Sequence, residues 1–562
     1  MTVKAKWLAL AALAYSFLVP AVLAQDALSP NQPITQTIAA GGSNKYQISL
    51  RDGDYVEVRL ATQSGEVSLV VTNPDGTLMR GFDGLAAGDN DTYAFAAEGG
   101  GMYSLNVRNQ GTAAATYELK VTKIVSLDER FQPSNNHARE QDPSPHIEAL
   151  KKQIATGDKN TAGFWRQVEA GGGPLIERLN ENYWLVTFLW RAQHDTRSVK
   201  VISYALPGPT SSGFMQRIGD SDVWYLTAKV PKGARFNYRL LPNSPLDDET
   251  QATSQADVFN PKRKSCPATA TKYGCRSVVE LPDAVPQPWI VSKPGTPAGK
   301  IEKATIKSAI QKLERNLFIY LPAGYKADGP PNDLVVWFDG DDILDPEVRG
   351  QTTLDNLIAA GKIPSTVVVM VDNVRRRRLV DLVANPEFAD FMARELIPWA
   401  RAHYNVTHDA SRTVVGGESA GGLAAAFMGL KHSEVFGNVF SQSGAFWWSP
   451  EHSGGVCASA CPETGGRHSD PDSKDSRTEG NFIARQFVIS PKLPVRFFLD
   501  AGTFETDREG AGGDILEGTR TLRDVLLSKG YEVHFQQAVS GHDDLSWRGT
   551  FADGLIALLG RP

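Results

Sequence analysis

Uninterrupted apolar runs are the feature that most constrains the fold of this chain. The runs 334–338 (LVVWF) and 366–371 (TVVVMV) carry no alternating polar positions. A strand with one face in water alternates, whereas a strand covered on both faces does not. A helical pattern at 386–403 and a further strand pattern at 495–499 follow. From about residue 313 onward this alternation predicts a doubly wound, mostly parallel α/β sheet.

The sequence around Ser419 has the form of a nucleophile elbow. An apolar run ends in Gly417-Glu418-Ser419-Ala420-Gly421, and small residues then open a helical pattern. Glycines beside the serine are required where the chain turns sharply from strand to helix in a strained backbone conformation. The five-residue pattern is common by itself, so a glycine-rich turn with an incidental serine is the alternative.

Downstream residues supply an acid and a base in the order that an α/β-hydrolase uses. His542 lies in a glycine loop between the last strand pattern and the last helical pattern, where this fold places the base. Glu505 follows the strand 495–499 through a glycine turn and is the expected acid, with Asp507 as the alternative. The acid would hold the imidazole and stabilise its protonated form.

Two backbone N–H groups are expected to form an oxyanion hole. One belongs to Ala420, the residue after the candidate nucleophile, at the start of a helix. The other belongs to Asp341, in the loop after the strand 334–338, where Gly340 permits the turn.

The composition and net charge argue against a nucleic-acid-binding protein, and the N-terminus predicts a targeting segment. A chain of 562 residues with 41% hydrophobic and 22% charged residues is long enough for three or four folded domains. A net charge of -6 gives no reason to expect nucleic acid or an anionic membrane as a partner. Lys4 and Lys6 precede the apolar run 7–23, which predicts a secretory signal peptide over residues 1–24, with a membrane anchor as the alternative. Cleavage of that peptide would leave the protein in the periplasm or outside the cell, without a membrane span.

Four cysteines form two close pairs in polar loops. They are Cys266 with Cys275 and Cys457 with Cys461. In an exported protein such pairs predict two local disulfides. Zinc is the alternative, but the spacings do not match a Cys-x-x-Cys site. No metal and no organic cofactor is expected.

The first half of the chain is β-rich. Residues 31–124 carry short alternating strand patterns separated by turn signals, which predicts a β-sandwich accessory domain. This segment resembles the pre-peptidase C-terminal type of accessory domain. A polar linker with one short amphipathic helix is expected over 125–162, a second β-sandwich over 163–290, a second linker over 291–312, and the α/β-hydrolase domain over 313–562.

Several motifs make the region 163–562 resemble the enterochelin esterases. In the β-rich part the matching runs are 164–169, 173–176, 186–191, 222–224, 257–261 and 279–284. In the α/β part they are 339–340, 418–423, 436–448, 541–543 and 547–549. Members of that family hydrolyse ester bonds of the tri-catecholate siderophore enterobactin or of its ferric complex, and their N-terminal domain is an immunoglobulin-like sandwich.

The resemblance implies roles for individual residues. Ser419 and His542 fall on the family's nucleophile and base, and Glu505 on its acidic position. Arg378 falls on the arginine of the family's Arg-x-x-acidic-Leu-x-x-Asn pattern and is expected to bind an anionic substrate, against the alternative of a solvated loop. Trp447 is expected to stack on an aromatic substrate, against the alternative of a role in the core.

Three functions are therefore open from the sequence. The favoured one is an exported serine esterase that cleaves a catecholate siderophore, with or without bound iron, through an acyl-enzyme. The second is an esterase for feruloyl or acetyl groups on the same catalytic domain. The third is a secreted ligand-binding protein whose hydrolase domain is vestigial.

Overall fold

A computed structural model of the protein divides the chain into two compact units, Met1–Arg130 and Phe131–Pro562. It describes residues 26–130, 142–192, 196–206, 213–243, 253–264, 275–374, 377–450, 480–506 and 514–560. The expected signal peptide, residues 1–24, lies outside the described residues and stays a prediction. Among the described residues, no helix combines the length and the apolarity that crossing a membrane requires.

The first unit is an all-β sandwich, as the sequence predicts. Its elements are β1 (Asp26–Ala27), β2 (Ile34–Ile38), β3 (Ser43–Leu50), β4 (Tyr55–Ser64), β5 (Val67–Thr72), β6 (Leu78–Leu85), β7 (Asn90–Ala96), β8 (Gly101–Asn109), β9 (Ala115–Val125) and α1 (Leu127–Arg130). The sheet β1-β3-β8-β5-β6 faces the sheet β2-β9-β4-β7. The buried hydroxyl groups of Tyr46 in β3 and Tyr117 in β9 hydrogen-bond to each other between the two sheets.

The second unit begins with two helices and another pair of antiparallel sheets. These elements are α2 (Pro145–Ala155), α3 (Ala162–Gly171), β10 (Leu175–Arg178), β11 (Tyr183–Arg191), β12 (Val199–Ser203), β13 (Gln216–Arg217), β14 (Val223–Pro231), β15 (Arg235–Pro242), β16 (Arg263–Lys264) and β17 (Arg276–Glu280). The sheets β10-β11-β14-β13 and β12-β15-β17-β16 enclose one apolar core, which we call the core of the small β-domain (strands β10–β17). Phe188 and Tyr238 meet edge to face across it, with ring centroids 4.7 Å apart.

Helix α2 lies within the segment expected to be a linker. Ser144 caps its first turn by accepting a hydrogen bond from the Ile147 N–H, and Pro145 starts the helix with a preset φ. Ile147 and Leu150 are buried against Trp165 of α3 and against the outer face of β11 and β14. The helix therefore packs on the small β-domain and is not a free connection.

The remainder of the second unit is one eight-stranded sheet with helices on both faces. Its strands are β18 (Lys300–Ser308), β19 (Leu313–Leu321), β20 (Asp333–Phe338), β21 (Thr366–Val371), β22 (Thr413–Glu418), β23 (Asn438–Gln442), β24 (Arg496–Gly502) and β25 (Glu532–Ala538). Its helices are α4 (Gly340–Leu344), α5 (Gly350–Ala359), α6 (Arg378–Leu382), α7 (Pro386–Phe391), α8 (Ile397–His403), α9 (Ala420–Lys431), α10 (Phe482–Ile489), α11 (Ile515–Ser528) and α12 (Asp544–Leu559).

The strand order is β18-β19-β21-β20-β22-β23-β24-β25. The pairs from β21 to β25 are parallel, while β18 and β19 are joined by antiparallel pairing. One face of the sheet is covered mainly by α7 to α11 and the other by α5 and α12. Strand β18 falls within the segment 291–312 expected to be a linker. Its mostly polar, half-exposed side chains are typical of an edge strand and carry no apolar run.

The sheet has a topological switch point beside β20. The chain passes from β20 to β21 on one side and then to β22 on the other. Loops at the carboxyl ends of two such strands leave the sheet in opposite directions and open a crevice between them. Gly340 follows β20 and Ser419 follows β22, so the expected oxyanion loop and the expected nucleophile flank this crevice.

Candidate functional site

Ser419 occupies the sharp turn between β22 and α9. Its φ of 56° and ψ of -116° are strained for a residue with a side chain. A Cβ on Gly417 would lie 3.0 Å from the Gly421 Cα, and a Cβ on Gly422 would lie 2.3 Å from the Ser441 Oγ. The backbone can make this turn because these positions are glycines, as the elbow pattern predicts.

His542 and Glu505 lie together at the carboxyl edge of the same sheet. The His542 Nδ1 and the Glu505 Oε1 are 2.5 Å apart. The Gly502 N–H donates to the other carboxylate oxygen of Glu505 at 2.6 Å, so the carboxylate is held on both sides. The Glu505 side chain is 1% exposed and that of His542 is 22% exposed, so the acid is enclosed while the imidazole remains accessible. Asp507, the alternative acid, lies outside the described residues.

Hydrogen bonds connect the elbow to helix α12, which directly follows the loop 539–543 that carries His542 (the histidine loop). The Ser419 N–H donates to the Gln442 carbonyl at 2.9 Å, and the Gln442 side-chain amide donates to the Trp547 carbonyl at 2.8 Å. The Trp547 ring meets the His542 ring edge to face, with centroids 4.9 Å apart. Because β22, β23, β24 and β25 are neighbouring parallel strands, Ser419, Glu505 and His542 all follow strands that end at one edge.

The two expected oxyanion donors follow neighbouring strands. Ala420 is the first residue of α9 and is 5% exposed. The backbone of Asp341 lies in the first turn of α4, directly after β20. The first N–H groups of a helix have no partner within the helix and can bind an anion.

Arg378 braces the loop that precedes Asp341. Its Nε and Nη2 donate to the two carboxylate oxygens of Asp339 at 2.8 and 2.6 Å. The Asn373 side-chain amide donates to the same carboxylate. Asp339 is 1% exposed and has a φ of 52°, so a bidentate ion pair holds a residue in a strained conformation at the end of β20. The sequence pointed to Arg378 as a substrate contact and missed this pairing, although an aspartate directly after an apolar strand was its visible signal.

The other members of the Arg-x-x-acidic-Leu-x-x-Asn pattern are structural. Asp381 accepts a hydrogen bond from the Arg315 Nη2 at 2.6 Å, and both side chains are almost completely buried. Asn385 caps α7 by accepting hydrogen bonds from the first N–H groups of that helix. Arg375 and Arg376 lie outside the described residues.

Trp447 lies in the turn after β23 and packs, partly buried, against the core under α9 to α11. A Cβ on Gly518 of α11 would lie 2.7 Å from the Trp447 N, so the tryptophan backbone touches that helix. The structure therefore shows Trp447 in contact with the core, and its stacking on a substrate stays a prediction.

A buried carboxyl group adjoins the histidine and its acid. Asp500, at the end of β24, is 3% exposed and accepts a hydrogen bond from the Ser443 N–H at 3.0 Å. Burial raises the pKa of Asp500 to about 7, and the nearby Glu505 carboxylate adds to this rise. Ser443 in turn accepts a hydrogen bond from the Trp547 indole at 2.9 Å. The sequence did not predict the link from Asp500 through Ser443 to the Trp547 side chain.

One of the four cysteines lies among the described residues. Cys275 is disulfide-bonded and 4% exposed. Cys266, Cys457 and Cys461 lie outside the described residues, so the two pairings stay predictions. Within the described ranges, no three His, Cys, Asp or Glu side chains cluster in a way that could hold a metal ion.

Family models match most of the second unit. The Esterase model matches residues 308–558, and the model of the enterochelin esterase N-terminal domain matches residues 185–290. The first covers strands β19 to β25 of the eight-stranded sheet, and the second covers the small β-domain from within β11 onward. Neither extends into the first unit, residues 26–130.

Characterised relatives match over almost their whole length. The iron(III) salmochelin esterase of Escherichia coli O6:H1 is 28% identical over 443 residues, which cover 75% of this chain and 99% of the relative. The iron(III) enterobactin esterase of Escherichia coli K12 is 27% identical over 410 residues, covering 69% and 94% of the two chains. A crystal structure of the enterobactin esterase from Shigella flexneri, determined in the presence of enterobactin, is 25% identical with a TM-score of 0.53 and covers 71% and 97%.

A mostly parallel sheet with a strained serine, a histidine–glutamate pair and these relatives defines an ester hydrolase. The second unit, Phe131–Pro562, belongs to the enterochelin esterase family, whose two models together match most of it. These findings favour an enzyme over the alternative of a secreted ligand-binding protein with a vestigial hydrolase domain.

Proposed function

We propose that the protein is an exported serine esterase that cleaves the ester bonds of a catecholate siderophore of the enterobactin type. The observation that carries the proposal is the placement of a strained Ser419 and a His542–Glu505 pair at one sheet edge. The substrate class is supported by the relatives, which are esterases of iron(III) enterobactin and iron(III) salmochelin.

The reaction would proceed by acyl transfer. His542 removes the proton from the Ser419 Oγ as this oxygen attacks the ester carbonyl, and the imidazolium then protonates the departing alkoxide. Glu505 fixes the ring through Nδ1 and stabilises its positive charge. Water, deprotonated by the same imidazole, attacks the acyl-enzyme, and the imidazolium returns the proton to the Ser419 Oγ as the bond to the acyl group breaks and the acid leaves.

Two further groups would act on the substrate without moving protons. The backbone N–H groups of Ala420 and Asp341 stabilise the oxyanion of the tetrahedral intermediate. Arg378 keeps the Asp341 loop in place through Asp339, and its side chain, 37% exposed, would contact an anionic catecholate bound beside that loop. The arginine therefore has a positioning role and a proposed binding role at one location.

Ser419→Ala tests the mechanism. Hydrolysis of an activated ester should fall by a factor of about 10³ or more, because the acyl-enzyme cannot form. Ser528→Ala is the matched control, since Ser528 is an exposed serine at the end of α11. A Ser419→Ala variant that retains its activity would refute the mechanism. Labelling of Ser419, but not of the alanine variant, by a fluorophosphonate provides an independent readout.

A substrate panel tests the substrate class. Mass spectrometry of the products from ferric enterobactin, iron-free enterobactin, a feruloyl ester and an acetyl ester should show the highest kcat/KM on one of the two enterobactin forms. The feruloyl alternative rests on 28% identity over 257 residues to a xylanase/feruloyl esterase of Xylanibacter ruminicola, of which the match covers 33%. Faster cleavage of the feruloyl ester would favour that alternative.

Export rests on the N-terminal sequence alone. The proposed cleavage after Ala24 is checked by N-terminal sequencing of protein recovered from periplasmic and culture fractions of the native host. A mature chain that still begins at Met1 would contradict it.

A further inference from the structure

The loop that carries His542 lies against the small β-domain. The Arg235 N–H of β15 donates to the Val539 carbonyl at 3.0 Å, directly after β25. Tyr204, at the end of β12, packs on Gly541 so closely that a Cβ added there would lie 2.2 Å from the Tyr204 Cβ. Val539 and Gly541, three residues and one residue before the histidine, are therefore held by contacts from a separate pair of sheets.

The residue after the histidine is held from the same side by a buried hydrogen bond. The Asn237 side-chain amide of β15 donates to the Asp543 Oδ2 at 2.8 Å, and the two residues are 6% and 3% exposed. Asp543 stands at the N-cap position of α12, where an aspartate ordinarily accepts hydrogen bonds from the first N–H groups of the helix. Its Oδ2 is directed instead to the Asn237 side-chain amide of the small β-domain.

A buried cation completes this contact. Lys264 of β16 is 3% exposed and forms an ion pair with Asp544, the first residue of α12. Burial lowers the pKa of Lys264 to about 8, and the nearby Asp543 carboxylate opposes that decrease. A buried ammonium group is costly unless it is paired, so Lys264 and the carboxylates of Asp543 and Asp544 stabilise each other.

The loop after β24 that carries Glu505, which we call the acid loop, also packs against the small β-domain. Phe504, which precedes Glu505, packs against the core of the small β-domain, and its ring centroid is 6.3 Å from that of Phe236. The Phe504 N–H donates to the Ser540 carbonyl at 3.0 Å, which joins the acid loop to the histidine loop. Both loops that deliver the base and its acid therefore share one support outside the catalytic sheet.

We infer that Asn237 and Lys264 are positioning residues that fix the direction of the His542 imidazole through Asp543 and Asp544. The small β-domain is then a working part of the active site, although it need not touch the reacting atoms. This inference rests on the proposed role of His542 as the base. A displacement of about 1 Å at a reacting group can reduce the rate on the order of 10²-fold, so small shifts of this loop suffice.

Steady-state kinetics on the full chain test the inference. Asn237→Ala and Lys264→Met should each lower kcat about 10- to 100-fold with KM for an activated ester within about twofold of the wild type. Lys264→Arg keeps the charge and should recover most of the lost kcat. Thr187→Val is the matched control, because it removes a buried side-chain hydrogen bond to Thr227 within the small β-domain, away from the histidine loop. It should leave kcat unchanged.

A double-mutant cycle separates positioning from general stability. If Asn237 acts through Asp543, then Asn237→Ala should lower kcat no further in an Asp543→Ala background. If the effects of the two substitutions on kcat multiply fully, the inference is overturned. A folded Asn237→Ala variant with wild-type kcat would also overturn it. If Asn237→Ala lacks a cooperative thermal transition, Asn237→Ser takes its place with the same two outcomes. Loss of activity in Ser419→Ala together with normal kcat in these variants would refute this inference alone and leave the proposed function standing.

Discussion

Gly541→Ala is a substitution that should impair the enzyme without touching a reacting group. The added Cβ would lie 2.2 Å from the Cβ and 2.5 Å from the Cγ of Tyr204. Carbon atoms in contact lie about 3.5 Å apart, so the two backbones must separate by about 1.3 Å. The Tyr204 Cβ is fixed by its backbone, so a change of rotamer cannot relieve the overlap.

Because His542 directly follows Gly541, this separation displaces the histidine loop. A shift on the order of 1 Å predicts a loss on the order of 10²-fold in kcat, with little change in KM. Overpacking of this kind also costs about 1–3 kcal/mol of stability, which a lower thermal midpoint should reveal. The assay is hydrolysis of an activated ester, with circular dichroism to verify folding.

Two companion variants make the reasoning refutable. Tyr204→Gly removes the atom that the new methyl group meets, so adding it to Gly541→Ala should recover part of the kcat. Gly171→Ala is the control, because a Cβ at that glycine of α3 meets nothing within 4 Å. A folded Gly541→Ala variant with kcat within about threefold of the wild type would show that the loop tolerates this displacement.

Two further predictions concern the carboxyl groups at the site. Glu505→Gln should lower kcat on the order of 10²- to 10⁴-fold, because a neutral amide cannot stabilise the His542 imidazolium, and a loss below tenfold would assign the acid's role to another residue. Asp500→Asn tests the raised pKa of about 7. Between the usual pKa of 3.8 and about pH 7 the unfolded chain loses this proton while the folded protein keeps it, so the stability of the wild type falls as pH rises through that window. Thermal midpoints should therefore be measured from pH 5 to 8. The midpoint of Asp500→Asn should rise relative to that of the wild type as pH rises, whereas a constant difference between the two midpoints would contradict the raised pKa.

Much of the second unit was predictable because its signals are local. The uninterrupted apolar runs at 334–338 and 366–371 became the buried strands β20 and β21. The glycines around Ser419 predicted a strained turn, and the structure has one. The edge strand β18 was missed because it is mostly polar and lacks an apolar run, whereas the short amphipathic helix expected within 125–162 is present as α2.

The sequence by itself determined the elbow, the alternation of strands and helices, and the chain order of serine, acid and histidine. These depend on residues that are neighbours in the chain or repeat with the period of a helix or strand. Only the tertiary structure decided that Arg378 pairs with Asp339, that Glu505 meets His542, and that Asn237 meets Asp543 across 306 positions of sequence. Such partners are chosen by the packing of sheets against each other, because a buried polar group must find a partner wherever folding brings one within reach.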